Sequence, residues 1–577
     1  MKFILTIDLF KQLGLKGPTL EILNQDANLY STMLFQPNDS IELSERYIRN
    51  VDRDLSEKKF TGFFECALIG NVELAITPEY SCPWSVLEKL FSENKFPQEG
   101  KLWIIGCESI EPEELLDFIG KHSEIDWIYE QEIVNQNLIS EKFFDPVCYL
   151  FRTRDIDTNE VREVIIVQFK THFMGGIEWE RNNFISGENI YVIQNDYDLT
   201  RLFTFICSDA LNSPSPHFYD GFMNTPHLIV HIQLNQSPFH PSFRKYRCDL
   251  YDKGWDDKDV LCLNWARNVQ INNNHFNDYG GTAFYTSSKE VNILDSRIEH
   301  NHSLGAYYTL WKDRYSTVYL LNYDEFVFLF RNTKPSQRAG PAVNRKRTGL
   351  EMSKVFFWKI EENNWFENND LYSGFRELCN EVEEKCHILI NGDISKVNIE
   401  RLIALSIGKA VNRNWHGIKE NVFFRLGDDG VNKRITFAQD PCTEARLQKK
   451  RCIVQFTIFA EHVIKNNICF PDTISDLKGN CEVNYHHDGN DDSYNLNLYS
   501  IDDNSPCATG IYLGEIDKGT ALEIFDRTTE LFKDRQNWTR IVVWYRDAQG
   551  YNNVIAGKPK FTDNAMTPIN SIRTKRK

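Results

Sequence analysis

Across roughly the first 335 residues, short apolar runs of strand length alternate with amphipathic stretches of helical length, separated by polar or Gly/Pro breaks. Tyr30–Phe35 reads as a strand, Ile41–Leu55 as a helix, Val72–Thr77 as a strand, Trp84–Phe91 as a helix and Leu102–Ile105 as a strand. A short helix over Glu111–Lys121 follows, and then Val147–Arg152 and Val164–Phe169 pair as a hairpin about the turn residues 155–159. Later strands are Ile190–Ile193, Leu202–Ile206, Leu228–Ile232 and Val260–Leu263. These runs are rich in Val, Ile and Phe and are not interrupted at every second position, which is the pattern of strands buried on both faces. They predict an α/β domain in which helices cover the sheets.

The first 29 residues read as a helical extension, with apolar Ile4, Leu9, Leu13 and Leu15 ahead of the Lys16-Gly17-Pro18 break. The large domain is expected to span residues 30–335. Periodicity then fails over 336–349, a basic stretch containing Arg338, Arg345, Lys346 and Arg347 that reads as a linker. Beyond it, helices are expected over Leu371–Glu384 and Ile399–Asn412, strands over Val422–Leu426, Cys452–Ile458 and Ile541–Tyr545, and an exposed acidic loop over Asp488–Ser493. Residues 350–577 are therefore predicted to form a smaller α+β domain. Two domains suit a chain of 577 residues, which is long for one hydrophobic core.

Composition narrows the partners. A formal net charge of −17 argues against a broad nucleic-acid or anionic-membrane face, and the basic tail Arg573–Lys577 reads as a solvated terminus. The mean hydropathy is −0.45, and the longest apolar runs fall far short of the roughly 20 residues that cross a bilayer. Residues 1–15 lack a signal-peptide pattern, so a cytoplasmic protein is expected, with no membrane partner. The 14 cysteines are scattered without a Cys-x-x-Cys pair, which points to reduced thiols and away from a structural metal.

Three strand ends carry candidate chemistry. Val72–Thr77 runs into Pro78-Glu79, Val164–Phe169 into Lys170, and Leu202–Ile206 into Cys207-Ser208-Asp209. Singly, each side chain has an ordinary structural reading: a surface glutamate, a snorkelling lysine, a core thiol. Together they offer a base, an ammonium for a developing oxyanion and a nucleophile, which is what hydrolysis of an unactivated amide or nitrile requires. Glu178 follows Lys170 closely, in a Gly175-Gly176-Ile177-Glu178 stretch that suggests a turn at a site mouth. A strand-to-turn junction at Cys207 also frees the backbone NH of Ser208 to bind an oxyanion.

In that order, Pro78-Glu79, Lys170 and Ile206-Cys207-Ser208-Asp209 resemble the hallmarks of the carbon–nitrogen hydrolase (nitrilase-like) superfamily, over about residues 30–330. His227–Pro238, Val260–Asn264 and Gly280–Phe284 are similar to its later strands. The resemblance implies a four-layer αββα sandwich and a Glu79–Lys170–Cys207 triad acting through a thioester. It further implies Glu178 as a second glutamate, Lys170 and the Ser208 NH as oxyanion donors, and no cofactor or metal. The implied substrate is a small amide, ahead of a nitrile. A homo-oligomer is expected, with residues 350–577 available to a protein partner. The alternative is a nitrilase scaffold serving binding or signalling, for example in bacterial antiviral defence. One departure is the 91-position spacing from Glu79 to Lys170, which implies an insertion near His122–Phe144.

Overall fold

A computed structural model of the chain describes residues 1–24, 29–173, 178–196, 198–212, 225–252, 258–276, 278–287, 294–311, 316–334, 348–369, 371, 374–383, 385–410, 413, 415–416, 434–439, 443–485 and 492–557. It is a mixed α/β protein that divides into two compact units. One comprises Met1–Glu381, Ser395–Val397 and Phe424–Lys450, and the other Val382–Ile394, Asn398–Phe423 and Arg451–Lys577. No helix among the described residues is long and apolar enough to cross a membrane.

Among its described residues, the first unit contains two large sheets. One runs in the order Asn364–Asn368, Glu351–Lys359, Phe326–Thr333, Leu29–Gln36, Leu74–Cys82, Leu102–Cys107, Pro146–Arg154, Val161–Phe169 and Asp126–Ile128. The other runs Lys2–Leu5, Asn189–Gln194, Arg201–Ile206, His227–Ile232, Lys258–Leu263, Ala283–Ser287, Ser316–Leu321 and Ala306–Trp311. Polar side chains stitch the sheets together. Gln168 donates to the carbonyl of Thr204 (2.9 Å) and accepts from the amide of Tyr191 (3.0 Å), while Tyr30 Oη donates to Asp259 (3.3 Å). Helices Arg53–Ile69, Trp84–Ser92 and Pro112–Lys121 bury Phe60, Phe64, Leu87 and Leu115 against Met33, Ala75 and Trp103 of the first sheet. Helix Pro241–Asp252 sets Phe243, Tyr246 and Leu250 against Phe205, Ile229 and Val260 of the second.

Several expectations are corrected. The amino-terminal residues are not a separate helical extension: Lys2–Leu5 is a strand paired in parallel with Asn189–Gln194, and the helix is confined to Thr6–Gln12. Ile41–Leu55 is not one helix. Ser44 accepts the amides of Arg46 and Tyr47 to turn the chain between strands Ser40–Leu43 and Ile48–Asn50, and the helix starts at Arg53, where Asp52 caps the amide of Leu55 (3.0 Å).

The unit does not stop at 335 either. Glu351–Lys359 pairs with Phe326–Thr333, Asn364–Asn368 adds a further strand, and Trp365 packs edge-on against Phe35 at 5.0 Å. The basic stretch 336–349 therefore falls inside the first unit's sequence rather than between two domains; residues 335–347 lie outside the described residues. The stretch His122–Phe144, where an insertion is expected, supplies edge strand Asp126–Ile128 and helix Gln131–Gln136, with Glu130 accepting the amides of Glu188 and Asn189.

In the second unit, Cys481–Val483, Leu498–Ser500, Ser505–Glu515, Ile541–Asp547 and Gly550–Ile555 form a sheet. Cys452–Ile458 is helical, not a strand: helix Thr443–Thr457 continues as a π-helix over Ile458–Ile464. Its buried positions Ile453, Phe456, Phe459, Ala460 and Val463 recur at three- and four-residue intervals, a helical stripe hidden within a short apolar run. Of the two expected helices, one settles at Phe375–Asn380, which belongs to the first unit, and the other at Lys396–Ser406. Val422–Leu426 and most of Asp488–Ser493 lie outside the described residues.

Candidate active site

The three predicted strand ends converge electrostatically in the first unit. Glu79 lies in strand Leu74–Cys82, Lys170 follows Val161–Phe169 in the same sheet, and Cys207 follows Arg201–Ile206 in the facing sheet. All three are buried. Lys170 Nζ is 2.7 Å from Glu79 Oε1, 2.6 Å from Glu180 Oε1 and 3.5 Å from Asp145 Oδ2. The other Glu79 oxygen accepts the amide of Leu234, Tyr80 Oη donates to Glu180 (3.1 Å), and Trp265 Nε1 donates to the Glu79 carbonyl (2.8 Å).

Local backbone geometry sets these groups. Tyr80 and Cys207 have φ of 54° and 41°, the left-handed region that bulky residues avoid and that marks functional sites when the surroundings enforce it. Glu79 is placed by a close backbone approach: a Cβ on Gly106 would lie 2.0 Å from the Pro78 carbonyl oxygen and 2.9 Å from the Glu79 nitrogen. Only glycine allows strand Leu102–Cys107 to come so near.

The nucleophile turn is held from both sides. Asp209 Oδ1 accepts the amides of Thr171 (2.8 Å) and His172 (3.0 Å) and the Thr171 hydroxyl (2.7 Å), tying the segment after Lys170 to the turn after Cys207. Burial pushes the Asp209 carboxyl up to about 6, against the opposing effect of these donors. His231 Nε2 lies 2.9 Å from the Cys207 carbonyl oxygen and Tyr246 Oη 2.7 Å from His231 Nδ1. A carbonyl can only accept, so Nε2 carries the proton. Burial lowers His231 to about 3, which keeps the ring neutral.

Burial opposes charge throughout the cluster. It raises Glu79 above the usual carboxylate range, an effect only partly offset by Lys170. On Lys170, burial disfavours the ammonium, but its carboxyl neighbours, Glu180 first and then Glu79, outweigh it and hold the amine protonated. The Cys207 thiol is pushed well up by burial and then by Glu79, with Lys170 acting in the other direction. Cys207 thus rests as a thiol whose titratable neighbours are Glu79, Lys170, Glu180 and Asp145. One oxygen from each of Glu79, Asp145 and Glu180 lies within 4.8 Å of the others. Here the Lys170 ammonium lies within 3.5 Å of all three and supplies the positive charge.

Three of the predicted residues, Glu79, Lys170 and Cys207, share this cluster. Ser208 directs its hydroxyl to the His172 carbonyl (2.5 Å). The Glu178 side chain lies outside the described residues; Glu180, in the same helix Glu178–Asn183, contacts the amine. Sequence reasoning missed Glu180, Asp145, Tyr80, His231 and Trp265. The acidic Glu178-Trp179-Glu180 pair and the Asp145-Pro146 strand start were the available signals.

The facing sheets thus enclose a carboxylate, an ammonium and a thiol. The chain is similar to the NitN amidase from Nesterenkonia sp. AN1, at 12% identity over 44% of this chain and 84% of that one, with a TM-score of 0.26. A carbon–nitrogen hydrolase from Helicobacter pylori G27 aligns at 10% identity over 44% and 80%, with a TM-score of 0.25. A glutamine-dependent NAD+ synthetase from Acinetobacter baumannii aligns at 9% identity over 69% of this chain and 58% of that one, with a TM-score of 0.31. No family model and no curated protein matches the sequence. The chemical reading rests on the site's own residues.

Proposed function

We propose that the protein is a thiol-dependent hydrolase of non-peptide carbon–nitrogen bonds, acting on a small amide ahead of a nitrile. The observation that carries this reading is the Lys170 ammonium, 2.7 Å from Glu79, with the Cys207 thiol subject to the same charges. In this reading the two sheets and their helices form a four-layer αββα sandwich, and the chain works in the cytoplasm as a homo-oligomer.

Because Cys207 rests protonated, attack needs a base. Glu79, made more basic by burial, takes the Sγ proton as sulfur bonds to the carbonyl carbon. Lys170 and the Ser208 NH stabilise the oxyanion, while Glu180 and Tyr80 orient Lys170. Collapse breaks the C–N bond as Glu79 returns its proton to the departing amine. Glu79 then deprotonates water, which attacks the thioester, releasing a carboxylic acid and restoring the thiol.

The test is labelling with a thiol-reactive amide probe, followed by untargeted metabolite profiling of wild type beside Cys207→Ala. Selective labelling of Cys207, and an amide that wild type depletes and the variant does not, is the expected result. An unlabelled Cys207 would instead favour the scaffold reading, with residues 350–577 recruiting a protein partner.

A further inference from the structure

The cluster holds one ammonium and three carboxyl groups, and the mechanism above uses only two of them. We propose that Asp145 is a neutral carboxylic acid that donates a hydrogen bond to Glu79, a positioning residue that keeps the base ionised and aimed. This rests on the reading of Glu79 as the base.

The geometry leaves few other places for the proton. Glu79 is satisfied by Lys170 and the amide of Leu234, and Glu180 by Lys170 and the Tyr80 hydroxyl. Asp145 is fully buried, and neither of its side-chain oxygens receives a donor among the described residues. Its nearest positive atom, Lys170 Nζ at 3.5 Å, already serves two shorter bonds. An ionised carboxylate left without donors inside a protein is strongly disfavoured, and like charges this close do not both ionise readily.

A protonated Asp145 has the donor that Glu79's remaining acceptor capacity needs, and one oxygen of each acid lies within 4.8 Å of the other. Burial and then Glu79 push the Asp145 carboxyl well above its usual range. The other titratable groups facing it are Lys170, Glu180, Tyr80 and Cys207, and Lys170 alone among them is positive. A hydrogen bond donated to Glu79 favours its charged form and so offsets part of the cost of burying the base.

Asp145→Asn retains a donor of similar shape without a titrating proton, whereas Asp145→Leu removes the donor. Infrared spectra of protein carrying carboxyl-¹³C aspartate, at mildly alkaline pH, should show a protonated-acid carbonyl band that shifts with the label and is lost in Asp145→Asn. If that variant does not fold, subtraction against Asp145→Leu serves instead. Cys207 alkylation near neutral pH should stay within about threefold of wild type in Asp145→Asn and fall roughly tenfold or more in Asp145→Leu.

A label-sensitive acid band missing from wild type overturns the proposal, as do equal alkylation rates in the Asn and Leu variants. If wild-type Cys207 resists alkylation altogether, the hydrolase reading fails instead, and the infrared band still decides whether Asp145 holds a proton.

Discussion

Replacing Asp209 by alanine tests how the nucleophile turn is held. Its carboxylate is the acceptor for the amides of Thr171 and His172 through Oδ1 and, at 3.3 Å, for that of Ile206 through Oδ2, while the Thr171 hydroxyl has a second partner in His172 Nδ1 at 2.8 Å. Truncation takes the acceptor from all three amides, and the two shorter bonds, at Oδ1, cost roughly 1–3 kcal/mol each. The space left by the side chain adds to this, so a loss of about 3–5 kcal/mol is expected at neutral pH.

The loss should depend on pH in a particular direction. Asp209 is raised from 3.8 to about 6, so between those values the folded protein holds a proton that the unfolded chain has released, and wild-type stability falls as pH rises through that window. The alanine variant lacks this slope, and the gap between the two proteins should narrow by roughly 3 kcal/mol from pH 4 to pH 7. Urea unfolding, combined with hydrogen exchange of peptides covering residues 164–172 and 201–209, measures both effects. A loss below about 1 kcal/mol, or a gap that widens with pH, refutes the account.

Two further predictions concern the same site. Gly106→Ala should force Pro78 and Glu79 apart from strand Leu102–Cys107, costing about 3 kcal/mol or more and slowing Cys207 alkylation, whereas Gly120→Ala, whose Cβ meets nothing, should be neutral or stabilising; thermal unfolding and labelling rates check the contrast. His231, lowered to about 3, contributes stability that is present above pH 6.5 and is lost as pH falls toward 3, so His231→Gln should remove up to roughly 5 kcal/mol of the acid-induced loss, read as a flatter unfolding profile below pH 6.5.

Much of the architecture was legible because buried strands announce themselves as uninterrupted apolar runs. Val164–Phe169 and Leu202–Ile206 were placed within three residues of their observed limits. What escaped was decided by partners distant in sequence. Lys2–Leu5 is a strand because Asn189–Gln194 offers it an edge, and Glu351–Lys359 joins the first sheet because Phe326–Thr333 has a free side. Neither fact is written in local periodicity.

At the site, the residues at apolar strand ends stood out, whereas Asp145 and Glu180 did not. A charge beside a proline or within a short acidic helix looks solvated until a buried amine is known to lie nearby. Between Glu178 and Glu180 the choice turns on helical phase, since residues two apart face different directions.

The two units trade segments along the chain: 395–397 and 424–450 belong with the amino-terminal body, while 382–394 and 398–423 belong with the other. A ribosome must therefore pass residue 450 before the body bearing Cys207 owns all its parts, and no single scissor cut liberates either body intact. Whatever the carboxyl-terminal half contributes, it was not bolted on as a detachable cassette, and shortened versions ending near residue 350 would emerge with an unfinished sheet margin and Phe35 stripped of its Trp365 neighbour.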